Sequence, residues 1–345
     1  MYQFHNDYNE TCHNTVYSAI GNCRDEQLDG YGLDVYSRKA VEKIKLLCEN
    51  KDLSIHFLAG GTQTNLTVIS SALRPHQAVL AAESGHINVH ETGAIEATGH
   101  KVVTIPSLDG KISAEVVAAV LDAQKNDDIA EHTVQIKMLY ISNPTELGTL
   151  YTADELRKLS AVCKAHNVYL YMDGARLSYA LAAITNDVTL PDLAKYCDVF
   201  YIGGTKCGAM FGEAVVISHY AIAEDFRYLI KQHGALLAKG WLLGVQFDAL
   251  LSDNLYFEIA KNANRLADRI RQTLVDLHCP MYVEGATNQI FPILPNRVLD
   301  CLASDFTYMV QQRVSETHTA VRFCTSWATE EADVDALCNA LRKYY

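Results

Sequence analysis

No stretch of the chain approaches the ~18–20 apolar residues that a membrane-spanning helix requires, and the polar segment Met1–Asn14 holds no apolar core for a secretory signal. Neither a membrane protein nor a secreted one is expected. Lysine and arginine are nowhere gathered into a long stripe, and the formal charge is −12 with a pI near 5.5. A nucleic acid or an anionic membrane therefore has little to bind, whereas a small anion needs only a few local cations. The ten cysteines are scattered, without a CxxC pair or a Cys/His cluster of zinc spacing. Neither a disulfide framework nor a metal site is expected, and reduced thiols in a cytoplasmic protein are the simplest reading. Internal repeats and low-complexity tracts are also missing.

What is present is a chain of 345 residues, 49% apolar and 20% charged, enough to bury a large core and a smaller one. From Val79 onward, short β-rich runs alternate with longer amphipathic ones: AVLAAE, KVVTIP, IKMLYIS, VYLYMDGA, VFYIGG and EAVVIS. This alternation predicts right-handed βαβ units, hence an α/β fold with a mainly parallel central sheet flanked by helices. Ser113 is placed to cap the helix AEVVAAVLDAQK, and Thr152 with Glu155 forms a capping box before LRKLSAVCKAHN. After about residue 220 the pattern changes to long helices, Gly240–Leu251 and Tyr256–Leu277, then short strands such as NQIFPILP and TAVRFCT. We read residues 1–40 as a loop-rich segment packing on the site and the small domain, 41–240 as a large ligand-binding domain, and 241–345 as a small α+β domain.

In an open parallel sheet, ligands sit beyond the carboxyl ends of the strands. After VYLYM come Asp173, Gly174, Ala175 and Arg176, and after VFYI come Gly203, Gly204, Thr205 and Lys206. A buried carboxylate at one strand end and a lysine on the loop after the next are two parts that a pyridoxal cofactor requires. The lysine forms an imine, and the aspartate keeps the pyridine nitrogen protonated so that the ring absorbs carbanion charge. Gly60, Gly61 and Thr62 precede an apolar helical stretch, and a helix N-terminus binds phosphate through its free N–H groups and its dipole. The segment lacks the GK[ST] ending of a nucleotide P-loop. His86 follows AVLAA, where an imidazole could stack on a flat ring. On a helix, His86, His90 and Glu91 would share a side, but without an HExxH pattern or a third ligand no metal is expected. Taken singly, Asp173 reads equally as a helix N-cap, Lys206 as a surface lysine, Gly-Gly-Thr as a turn and His86 as an ordinary polar residue. Their joint placement favours the chemical reading.

These motifs together resemble the fold-type I pyridoxal-phosphate enzymes, and more narrowly the threonine aldolase and β-eliminating lyase family. The matching pieces include HND (5–7), YGLDVYS (31–37), AGGTQTN (59–65), GHINVHETGA (85–94), ISNPTELGTLY (141–151), YMDGARL (171–177), GGTKCGAMFGEAVV (203–216) and VRFCTSW (321–327). The resemblance implies pyridoxal 5'-phosphate as cofactor, with Lys206 as the imine lysine, Asp173 at the pyridine nitrogen, His86 stacked on the ring, and Gly60, Gly61, Thr62 and Thr205 around the cofactor. It places Arg176 at the ring oxygen or the substrate carboxylate, and Arg322 as the bidentate clamp on that carboxylate. Asn6 falls where the family often has serine, near the same carboxylate. Because the family assembles its sites across a subunit interface, a homodimer or homotetramer is implied, with Tyr31 and Lys239 coming from the neighbouring subunit.

The implied reaction is carbon–carbon cleavage of L-threonine or L-allo-threonine to glycine and acetaldehyde. His86, a bound water or His90 would take the hydroxyl proton. Related aldolases carry a histidine in the loop after the strand that here continues ISNPTELG, and this chain has Thr145 there. The rival readings are β-elimination or transamination on the same cofactor, a non-catalytic binding protein, and a nucleotide-binding transferase using Gly60, Gly61 and Thr62.

Overall fold

The computed structural model describes all 345 residues. Its first strand, β1 (Tyr2–Gln3), lies apart from the main sheet, which is built from β2 (Ser54–Leu58), β3 (Gln77–Ala82), β4 (Val102–Ile105), β5 (Gln135–Ser142), β6 (Tyr169–Asp173), β7 (Val199–Gly203) and β8 (Glu213–Ile217). The seven strands run in the order β2-β8-β7-β6-β5-β3-β4. Every residue of β3, β7 and β8 is buried, as expected where helices cover both faces of a sheet. Alternate residues feed two different cores. Leu80, Leu139, Met172 and Ile202 face one side, and Val79, Met138, Tyr171 and Tyr201 the other.

The sheet is mainly parallel, as the alternation predicted, with one exception and one addition. β8 is antiparallel to both β7 and β2. The reason is length: only residues 204–212 join β7 to β8, too short for the crossover that a parallel pair requires. β2, absent from the predicted series, lies at the edge of the sheet and is only partly buried, so its apolar pattern is short and interrupted by His56.

The predicted helices form where their caps stand. Ser113 Oγ accepts from the Val116 N–H ahead of the helix Ala114–Lys125, and Thr152 and Glu155 complete a capping box on the helix Ala153–Ala165. The first forty residues carry more helix than expected. His13 caps Asn14–Asn22, and Asp34 caps Val35–Leu47.

Toward the carboxyl terminus come β9 (Met281–Val283), β10 (Gln289–Pro295), β11 (Phe306–Thr307), β12 (Met309–Arg313) and β13 (His318–Cys324). β12-β13-β10-β9 form an antiparallel sheet, and β11 pairs in parallel with β1, tying the chain's first residues to this lobe. The helix Leu255–Asp276 joins the two lobes. Tyr256, Ala260 and Ala263 pack into the core under the main sheet, while Leu266, Ile270 and Leu274 pack into the core of the small one.

Candidate active site

The parallel strands end along one edge of the main sheet, and the loops beyond that edge carry the polar residues. Asp173 is the last residue of β6, and its position two residues after Tyr171 puts both on the same face. Tyr140 and Tyr201 reach that face from the neighbouring strands, and their hydroxyls donate to Asp173 at 2.7 Å and 2.5 Å. The Ala175 N–H and Asn65 Nδ2 add two further donors, at 2.9 Å and 3.2 Å. Burial alone would raise the Asp173 pKa, but the His86 imidazole and these donors outweigh it and hold the carboxyl below its ordinary value. A carboxylate that stays ionised while 4% exposed results. The turn that presents it requires glycine at 174, because a Cβ there would come within 1.8 Å of the Tyr201 carbonyl oxygen.

Asn65 links this carboxylate to His86. Its amide accepts from the Tyr171 hydroxyl at 2.6 Å and donates to Glu91 Oε1 at 2.6 Å, and the same oxygen lies 2.7 Å from His86 Nδ1. A carboxylate can only accept, so the His86 proton sits on Nδ1 and Nε2 is left to the cleft. The short helix His86–Val89 ends before Glu91, so Glu91 reaches His86 by a turn of the chain rather than by the shared helix face expected from the spacing. His90 is exposed, with its ring centroid 5.5 Å from that of His86.

Lys206 stands on the loop after β7, half-buried, and its Nζ has no hydrogen-bond or ion-pair partner in the chain. Burial and the nearby Arg176 lower its pKa, enlarging the neutral, nucleophilic fraction. The Thr205 hydroxyl donates to Glu213 Oε1 at 2.8 Å, and the Gly204 N–H donates to Oε2 at 3.1 Å. Burial nevertheless pushes the Glu213 carboxyl up to about 8, so it is protonated at neutral pH.

Gly60 caps the helix Gly61–Ala72, whose first-turn N–H groups have no intrahelical acceptors. A Cβ built on Gly60 meets nothing within 4 Å. These groups border a cleft of about 340 Å³ that also holds Asp173, His86, Lys206 and the neutral Glu213. An adjoining cleft of about 530 Å³ shares Tyr8, His86, Glu146, Arg176 and Lys206 and extends to Arg322. Arg322 donates to Gln289 Oε1 and to the His5 carbonyl, both at 3.0 Å, and its Nε is buried without a partner. A larger cleft, about 700 Å³, opens between Gln124, Gln135 and His166 at the opposite edge of the sheet. None of the buried unpartnered polar atoms lies there.

Arg176 enters the site already paired. Its Nε and Nη2 donate to the two oxygens of Asp7 at 2.6 Å and 2.9 Å, and Asn288 Nδ2 donates to Asp7 at 2.9 Å. Burial would raise the Asp7 pKa, but the guanidinium outweighs it and holds the carboxyl at about 2. Asn6 lines neither cleft; its side chain accepts from the Tyr8 N–H. Tyr31 and Lys239 are exposed and also line neither cleft, although the Tyr31 N–H donates to the Ala238 carbonyl and so brings the two segments together. Asp7, Asn65, Glu146 and Glu213 are site residues that the sequence reading missed, and Glu91, noted there only beside His86 and His90, proves to be the His86 partner. For Glu213 a signal existed in its flanking motif, GGTKCGAMFGEAVV. No three His, Cys, Asp or Glu side chains are grouped as metal ligands, no helix is long and apolar enough to cross a membrane, and all ten cysteines are unpaired.

The same architecture recurs in a Thermus thermophilus aspartate aminotransferase mutant, which superposes with a TM-score of 0.74 over 100% of this chain and 92% of that one at 14% identity. The sheet, with the site at its carboxyl edge, therefore has the fold-type I architecture. The family model described as beta-eliminating lyase matches residues 23–294, and the chain belongs to that family. It is 31% identical over 319 residues to a low specificity L-threonine aldolase of Pseudomonas sp. (strain NCIMB 10558), covering 90% of this chain and 89% of the relative. A Leishmania major threonine aldolase structure superposes with a TM-score of 0.97 at 45% identity, covering 99% of each chain.

Proposed function

We propose that this chain is an L-threonine aldolase-type lyase, cleaving L-threonine, L-allo-threonine and similar 3-hydroxy amino acids to glycine and an aldehyde. The observation that carries the reading is the meeting, in one pair of joined clefts, of an unpartnered lysine of lowered pKa, Lys206, an ionised buried carboxylate, Asp173, and a guanidinium with a free buried N–H, Arg322. The residues fit pyridoxal 5'-phosphate. Lys206 would hold it covalently, Asp173 would pair with its pyridine nitrogen and His86 would face its ring. The first turn at Gly60, Gly61 and Thr62, with Thr205, would take the phosphate. The protonated Glu213 keeps that end of the cleft free of a repelling charge. When bound, the cofactor supplies an electron sink for the charge left on Cα.

The chain's own residues set which bond breaks. The Arg322 Nε–H is buried and free for the substrate carboxylate, while Nη1 and Nη2 are anchored by Gln289 and the His5 carbonyl. Asp7 holds Arg176 beside Lys206, adding positive charge to the same wall. Fixing the carboxylate would set how Cα presents its bonds to the bound cofactor, and so which bond is cleaved. We also propose that Tyr31 and Lys239, side by side on the surface, serve the site of a second copy in a homodimer or homotetramer. Ten free thiols suit a reducing compartment such as the cytoplasm.

The test is a product assay on the purified, cofactor-loaded protein. Threonine and allo-threonine should each give glycine and acetaldehyde in equal amounts. A keto acid in their place, with ammonia for elimination or without it for transamination, would overturn the aldolase reading.

A further inference from the structure

Besides Lys206 and Asp173, which are given to the cofactor, and Glu213, which is protonated, three side chains of the joined clefts could accept a proton from a substrate hydroxyl: His86, His90 and Glu146. His86 is committed at Nδ1 to Glu91 and is the residue proposed to face the cofactor ring. His90 is exposed, and no hydrogen bond of the chain orients its ring. Glu146 differs from both. Its Oε1 accepts from the His86 N–H at 2.9 Å and from the Ser142 hydroxyl at 2.7 Å, whereas Oε2 has no partner in the chain. The side chain is thus held rigidly with one oxygen free, and it borders both the cleft of Lys206 and Asp173 and the cleft of Arg322. Its neighbour Thr145 also lines the first cleft, but its hydroxyl is bonded to the Asp109 carbonyl and, at 2.7 Å, to Thr149 Oγ1.

We propose that Glu146 is the general base that takes the 3-hydroxyl proton of the substrate through Oε2, a role that rests on the aldolase reading above. The O–H electron pair becomes the second C–O bond of the departing aldehyde, the Cα–Cβ bond breaks, and its pair stays with the glycine carbon. That carbon then takes up one proton, which balances the one given to Glu146. Burial and the nearby Asp173 raise the Glu146 pKa above its ordinary value, which makes the carboxylate a stronger base than an exposed one.

The variants Glu146→Gln and Glu146→Asp test this in the full-length, cofactor-loaded protein. Glu146→Gln keeps the acceptor for His86 and removes only the base. It should lower kcat for threonine cleavage by roughly 10²–10⁴-fold, leave KM within a few-fold, and leave the cofactor spectrum unchanged. Exchange of the glycine α-proton into heavy water, which involves no hydroxyl, should persist, and Glu146→Asp should recover part of the cleavage rate. Independently of turnover, carbon-13 NMR of glutamate-labelled protein without cofactor should show a carboxyl titrating above the ordinary range, absent from Glu146→Gln. The proposal is overturned if Glu146→Gln cleaves threonine at near the wild-type rate, if cleavage and glycine exchange fall together, or if no such carboxyl titrates. A wild-type protein that releases no glycine from threonine would instead overturn the aldolase reading.

Discussion

Replacing Asp7 with asparagine removes the negative half of a buried ion pair while keeping the shape of the side chain. The magnitude follows from the site. Asp7 is fully buried, receives two N–H groups from Arg176 and one from Asn288, and has its carboxyl held from an ordinary 3.8 down to about 2. At 1.36 kcal/mol per pH unit this corresponds to about 2.5 kcal/mol of folded-state stability. Leaving Arg176 buried without its counter-charge raises the expected loss to roughly 3–5 kcal/mol. With an unfolding entropy of about 2.1 cal/mol/K per residue, a chain of 345 residues should melt about 4–7 °C lower at pH 7. Because the folded pKa is depressed, the contribution is complete above pH 3.8 and disappears as the pH falls through about 2. The difference between wild type and Asp7→Asn should therefore hold from pH 7 to pH 5 and shrink toward pH 2, as followed by circular dichroism melts. Equal melting temperatures at pH 7, or a gap that stays constant into acid, would refute the assignment of this pair as a stabilising one.

Lys206→Ala should abolish the near-visible absorption of the lysine-bound cofactor and the cleavage activity, with an unchanged far-ultraviolet spectrum; a band that remains and still bleaches with borohydride would move the attachment to another lysine. Arg322→Lys keeps the charge but loses the planar fork, so KM for threonine should rise roughly 10–100-fold, measured by steady-state kinetics, and an unchanged KM would remove Arg322 from the carboxylate site. Glu213 has its folded pKa raised to about 8, so its contribution is fully present below about pH 4.5 and is lost as the pH rises toward 8. Melts between pH 5 and 9 should show the wild type declining relative to Glu213→Gln over that window, and parallel curves would mean that Glu213 is ionised throughout.

Strand-end reasoning located the site because it depends only on local pattern. An apolar run followed by DGAR or GGTK places Asp173 and Lys206 at the sheet edge whatever the rest of the chain does, and the structure brings them into one cleft with His86 and Gly61. The partners that tune these groups were not legible, because they arrive from distant positions. Asp7 meets Arg176 across 169 residues of sequence, and Asn65 meets Asp173 across 108. The HND motif drew attention to Asn6, yet the side chain turned inward is Asp7. Pattern also cannot distinguish a parallel from an antiparallel buried strand when both are wholly apolar, and only the length of the 204–212 connection made β8 antiparallel.

The hydrogen bond from Arg322 to the His5 carbonyl spans 317 residues of sequence. The pairing of β1 with β11 closes a comparably long loop. Loop closure of this length is entropically costly, and contacts of such separation form late. The wall proposed to hold the substrate carboxylate thus takes shape only after both lobes have folded and the segment around His5 has docked between them. A chain interrupted anywhere in the last lobe would keep a nearly whole main sheet and its Lys206, yet lack the groove into which that early segment fits. Partly folded chains should then be able to hold cofactor before they can orient substrate.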